Sequence, residues 1–261
     1  MNFKEVKRVE YKHNTLFEVL FQARFPEIMK ISQEIPAKFQ DIVRKEGYPE
    51  LTSENPMLPS DMPKELQEAV ATAKVFHFLS EEKDWKISLA KDFVALTCSG
   101  NYRNYADFRE KLKNVLQTFS KIYEPSYFTR IGLRYKNVVN RTSLPHIKHG
   151  IENFIPEHIF PELATSIAKD IETLQKASLF NDGNIKANVN HALSKVSGRF
   201  RRKQFANEKS YVIDVDCFSE NRIGGINDVL ARCDTFKHLS WNIFQWSITD
   251  DLRDAMGRSE L

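Results

Sequence analysis

Residues 128–137, Phe-Thr-Arg-Ile-Gly-Leu-Arg-Tyr-Lys-Asn, constrain this chain more than any other stretch. Side chains alternate across a strand. Read as one, the segment puts Ile131, Leu133 and Tyr135 on one face and Arg130, Gly132, Arg134 and Lys136 on the other. The apolar face must be covered, and the cationic face must meet carboxylates, anions or water.

Other segments repeat the alternation. Thr15 to Phe25 carries Phe17, Val19, Phe21, Ala23 and Phe25 on one side and stops at Pro26. Short strands are predicted at Lys74 to Leu79, Trp85 to Leu89, Phe93 to Ser99, Thr173 to Phe180, Ile185 to Val196 and Lys209 to Phe218. Asn181-Asp-Gly-Asn184 is a hairpin turn by composition, since Gly accepts positive φ. Between these lie helical patterns. Ile35 to Gly47 reads as a short helix closed by Gly47. Asn101 to Tyr123 places Phe108, Leu112, Val115, Leu116, Phe119 and Ile122 on one stripe. A short helix is expected before Asp170. Ile226 to Met256 reads either as one long helix or as two, with Ser247 or Thr249 starting the second. Tyr48 to Pro63, with four prolines, and Ser197 to Asn207 read as loops, and Lys64 to Ala71 as a helical turn or linker.

The pattern predicts an α+β fold of two related halves, each of mainly antiparallel strands covered by a helix, with a long C-terminal helix. The division falls at 1–145 and 146–261, with one continuous domain as the alternative. A duplication is expected because a strand, a polar loop and an amphipathic helix follow one another from Phe93 and again from Tyr211. Recurrent one-helix-per-sheet packing is the competing explanation.

With 41% hydrophobic and 28% charged residues, the chain has the balance of a globular protein. No apolar run approaches a membrane span, and a cytoplasmic location is expected. A net charge of +3 is too weak to imply nucleic acid, so local clusters decide. Cys98, Cys217 and Cys233 have no metal-site spacing and read as reduced, buried thiols.

Two constellations carry the functional reading. The first is the basic loop Lys195, Arg199, Phe200, Arg201, Arg202 and Lys203. It suits nucleic acid, with the arginines on phosphates and Phe200 stacking a base, or an acidic protein partner. The second is Arg130, Arg134 and Lys136 with Asp214 and Asp216, either an internal polar network or an anion-binding concavity. Asp214 and Asp216, with His191 nearby, are a candidate metal pair, and His146 with His149 candidate zinc ligands. Neither spacing is diagnostic, so no metal, no cofactor and no catalytic residue is predicted.

Several stretches resemble an uncharacterised, sporadically distributed bacterial protein family of about this length. They are Phe17 to Pro26, Pro36 to Gln40, Trp85 to Leu89 with Phe93 to Leu96, Phe128 to Tyr135, Ile213 to Asp216, and Phe244 to Met256. The family has no assigned activity. Its patchy occurrence implies mobile loci such as anti-phage defence or toxin–antitoxin systems. The leading expectation is a non-catalytic interaction or regulatory protein with a specific protein partner. The alternatives are an RNA- or DNA-binding protein, conceivably a nuclease, using residues 195–203, and a sensor of a small anion or nucleotide using Arg130 and Arg134.

Overall fold

The computed structural model describes residues 1–54, 74–201 and 203–260. Along the chain run β1 (Val9–Tyr11), β2 (Leu16–Arg24), α1 (Met29–Gln33), α2 (Ala37–Val43), β3 (Glu50–Glu54), β4 (Val75–Leu79), β5 (Trp85–Ala90), β6 (Phe93–Ser99), α3 (Tyr105–Tyr123) and β7 (Arg130–Val139). They are followed by β8 (Leu174–Asn181), β9 (Lys186–Phe200), β10 (Lys203–Ser219), α4 (Ile226–Trp246), α5 (Asp250–Ala255) and β11 (Arg258–Glu260). The architecture is mixed α+β, and the pairs β1–β11, β3–β4, β4–β5, β5–β6, β8–β9 and β9–β10 are all antiparallel.

The chain forms two compact units whose bounds fall inside β2, β7 and α4. The first comprises Met1–Val19, Leu133–Ser219 and Asp234–Leu261; the second comprises Leu20–Gly132 and Glu220–Cys233.

In the second unit the strand order is β3-β4-β5-β6 followed by the end of β2. Helix α3 starts because the Asn104 side-chain oxygen accepts from the Asp107 amide at 2.9 Å. It ends at Glu124, whose φ of 46° precedes Pro125. Its buried face holds Phe108, Leu112, Val115, Leu116 and Phe119 of the stripe expected from sequence, with Thr118 added, while Ile122 at the end of that stripe is only half-buried. Phe108 stacks on Trp85 at 5.8 Å and Phe119 meets Phe25 at 4.8 Å. Phe39 of α2 packs on Phe78 of β4 at 5.3 Å. Heavy Phe usage thus builds this core, each buried ring contributing about 2–3 kcal/mol.

In the first unit the order is the end of β7, then β10-β9-β8. The β8–β9 turn is as expected: Gly183 has φ 91°, and Asp182 Oδ1 accepts from Ile185 N at 2.9 Å. One face of β9 and β10 lies under the part of α4 belonging to this unit. There the Ser240 hydroxyl meets Cys217 Sγ at 3.2 Å, and Tyr211 donates to the Ser247 carbonyl at 2.8 Å.

Several expectations need correction. Ser197 to Asn207 is no loop. Phe200 pairs with Lys203, so the hairpin runs on to a two-residue connection, with one bulge between Phe205 and Glu208. Arg201 and Asn207 take φ of 54° and 52° at the connection and the bulge. The 48–63 segment contains β3, and residues 55–63 lie outside the described residues, as does Lys64 to Ala71. Before Asp170 there are three separate 3-10 turns, Ile151–Phe154, Pro161–Ala164 and Ala168–Asp170, because Pro156 and Pro161 interrupt any longer helix. After β10 there are two helices. Thr249 starts the second by accepting from Leu252 N at 3.3 Å. Helix α1 and the pair β1–β11 were not anticipated.

Candidate interaction surface

The β9–β10 hairpin buries one face near its base and the other near its end. From Ala187 to Leu193 the odd-numbered residues of β9, Ala187, Val189, His191 and Leu193, are buried. Strict alternation puts Lys195, Ser197 and Arg199 on that same face, yet they are exposed. Beyond Ser194 the inward face is the even one. Phe200 and Phe205 are 5% and 8% exposed, clustered with Val138, Phe17, Val196 and Val212. Gly198 makes this possible: a Cβ there would stand 3.2 Å from the Phe205 ring and 3.3 Å from that of Phe17.

This small cluster holds the hairpin end from one side and leaves Lys195 and Arg199 outward on the other. Lys195 and Arg199 are four residues apart on one face, roughly 13 Å. Arg201 sits in the connection and Lys203 lies opposite Phe200. All four are exposed, and among the described residues none of them pairs with a carboxylate. Arg201 lies over the Phe200 ring at 5.5 Å, and Lys209, facing Lys195, pairs with Glu152. Arg202 lies outside the described residues. Phe200 does not offer its face for stacking a base, because its side chain is buried in the supporting cluster. The sequence shows the cations together but not which way the rings point.

The second constellation resolves differently. Arg134 donates to Asp214 through Nε at 2.7 Å and Nη2 at 2.5 Å. That fork occupies both oxygens of a carboxylate whose residue is only 8% exposed. The hydrogen bonds to Asp214, with its charge and those of Glu18 and Asp216, raise the Arg134 pKa despite partial burial. Lys136 Nζ lies over the Phe17 ring at 5.8 Å. Arg130 belongs to the part of β7 in the second unit.

His191 is not a neighbour of Asp214 and Asp216. It pairs with Ile213, whose side chain is on the opposite face from the two acids. Its Nε2 stands 2.9 Å from Ser247 Oγ. The Ser247 hydroxyl donates to the Ile243 carbonyl at 2.7 Å, so the imidazole must carry its proton on Nε2. Nδ1 is left without a hydrogen-bond partner. Burial, then the charges of Lys176 and His158, push the pKa down to about 4. A Ser–His contact was not foreseen. Ser247 is fully buried, its proton already committed, so the contact is a packing feature rather than a nucleophile and its base.

His146 donates to the Ala255 carbonyl at 2.7 Å and lies 4.5 Å from the His13 ring. His146 and His149 border an open cleft of about 360 Å³ with Lys148, Asp251 and Asp254. Among the described residues no three His, Cys, Asp or Glu side chains converge as a metal site. All three cysteines are buried and outside any disulfide, and burial pushes the Cys98 and Cys217 thiols up to about 12, which leaves them protonated at neutral pH. No helix among the described residues is long and apolar enough to cross a membrane.

Comparison with known proteins adds no relative: no protein family, no curated protein and no solved structure matches the chain.

Proposed function

We propose that this protein is a non-catalytic interaction protein that binds an acidic surface of a specific partner protein with the end of the β9–β10 hairpin. The observation that carries the reading is the set Lys195, Arg199, Arg201 and Lys203. Among the described residues these exposed cations have no carboxylate partner, and they stand on a ribbon end held by Phe200, Phe205 and Phe17. Such charges contribute little to folding. Presented on a supported hairpin, they steer and orient an anionic partner. The chain's resemblance to a sporadic bacterial family supports a role beside a partner encoded in an anti-phage defence or toxin–antitoxin-type locus, in the cytoplasm. The succession β6, polar loop, α3 and then β10, polar loop, α4 supports reading the chain as two duplicated halves.

One alternative keeps a specific observation in its favour. A two-stranded ribbon bearing cations on both faces also suits a nucleic-acid backbone. With Phe200 buried, such binding would run through phosphates and fall steeply with salt. The small-anion reading is less well supported, since Arg134 already spends its fork on Asp214.

The test is capture of the tagged full chain from its native host, with and without nuclease. One stoichiometric protein that survives nuclease treatment is expected. Recovery of nucleic acid alone would replace the protein-partner reading with the nucleic-acid one.

A further inference from the structure

We propose that the free edge of β8 pairs with β8 of a second copy, antiparallel, about a two-fold axis. Among the described residues, β8 ends the strand order of its sheet and β9 is its single strand partner. The two-residue connection of the β9–β10 hairpin makes Phe200 and Lys203 a hydrogen-bonded pair. Bonding alternates along β9, so its even residues bond β10 and its odd residues bond β8. On β8 the partners of those odd residues are Leu174, Lys176, Ser178 and Phe180. The backbone groups of Gln175, Ala177 and Leu179 therefore point away from β9. The Asp182 amide bonded to the Ile185 carbonyl, at 3.2 Å, gives the same phase from the other end of β9.

Protein edges are ordinarily blunted by proline, bulges, charge or a covering segment. β8 carries neither a proline nor a bulge. Its sequence, Leu-Gln-Lys-Ala-Ser-Leu-Phe-Asn, contains no proline, and its register with β9 is unbroken over all eight residues. Its one charge, Lys176, is turned back onto the His158 and Ile159 carbonyls at 3.0 and 3.4 Å. Gln175, Ala177 and Leu179 are exposed, Leu179 at 63%.

The edge is self-complementary, which selects a second copy as its occupant. A two-fold axis at Ala177 sets Gln175 against Leu179 and Lys176 against Ser178, so no like charges meet. The two Ala177 residues and the flanking Leu179 side chains then form one apolar strip across the junction. The cationic hairpin ends are compatible with this arrangement. Antiparallel pairing sends them in opposite directions, roughly 70 Å apart at strand rise. That is many times the Debye length of about 8 Å, so their charges do not oppose assembly.

The experiment is sedimentation velocity on the full chain over a concentration series, with hydrogen exchange on the same samples. The wild type should show twice the chain mass and slowed exchange at the Gln175, Ala177 and Leu179 amides. Leu179→Lys should return the monomer with an unchanged far-UV spectrum. Ala177→Pro, which removes an outward amide and no β8–β9 bond, should do the same. A wild type that stays monomeric throughout, or a dimer that both variants leave intact, would overturn the proposal.

Discussion

The base and the end of the β9–β10 hairpin are one ribbon with opposite burial. At the base, Val189, His191, Leu193, Tyr211 and Ile213 are almost fully buried, packed with Ser247 and Trp246. Toward the end, the same face of β9 carries Lys195 and Arg199 into solvent, and a separate cluster forms on the reverse side. A strand can thus continue unbroken while the reason for its existence changes sides. The base is held by a large core and contributes stability. The end is held by a few rings and has its charges free for binding.

Substitution at the two places should separate these roles. Leu193→Ala removes a fully buried side chain at the base and should cost about 4 kcal/mol in denaturant unfolding. Phe200→Ala at the end should cost about 2 kcal/mol, because its cluster includes the half-buried Phe17, Val196 and Val212. Its effect on hydrogen exchange should be confined to the residues beyond Lys195. Equal costs would break the comparison.

Acid should act on the base next. His191 remains neutral in the folded state down to about pH 4, against an ordinary value of 6.5. Between those values the unfolded chain takes up a proton that the folded chain refuses. Stability from this group is therefore complete above pH 6.5 and is lost as pH falls toward 4, by about 3 kcal/mol. His191→Gln should remove that part of the slope. An unchanged pH dependence would show that His191 is not held neutral.

Arg134→Ala should follow, at about 2 kcal/mol, discounted because the guanidinium is partly exposed. It leaves Asp214 buried with its fork partner gone. Smallest of all, Arg199→Glu with Arg201→Glu should change stability by no more than about 0.5 kcal/mol, as expected of exposed unpaired charges.

The base was legible in the sequence and the end was not, for a physical reason. Val189 to Leu193 and Tyr211 to Cys217 alternate in the period of a half-buried strand. At the end, Gly198, Asn207 and five closely spaced cations read as a loop. The residues that make it a strand are Phe17 and Val138, far away in sequence. The same limit hid the direction of Phe200, although the cations themselves stood out. Strands β1 and β11 are three residues each, too short for any periodic signal. The compact units are assembled from discontinuous segments, which a linear division near residue 145 does not express.

The central claim is that the hairpin end, and not surface charge in general, recruits the partner. Capture from the native host should be measured side by side for the wild type, the Arg199→Glu, Arg201→Glu variant, and a Lys38→Glu, Lys45→Glu variant altered at two exposed lysines of the second unit. Loss of the partner from the hairpin variant alone is the result this account predicts. Retention of the partner by that variant, or equal loss from both, would contradict it.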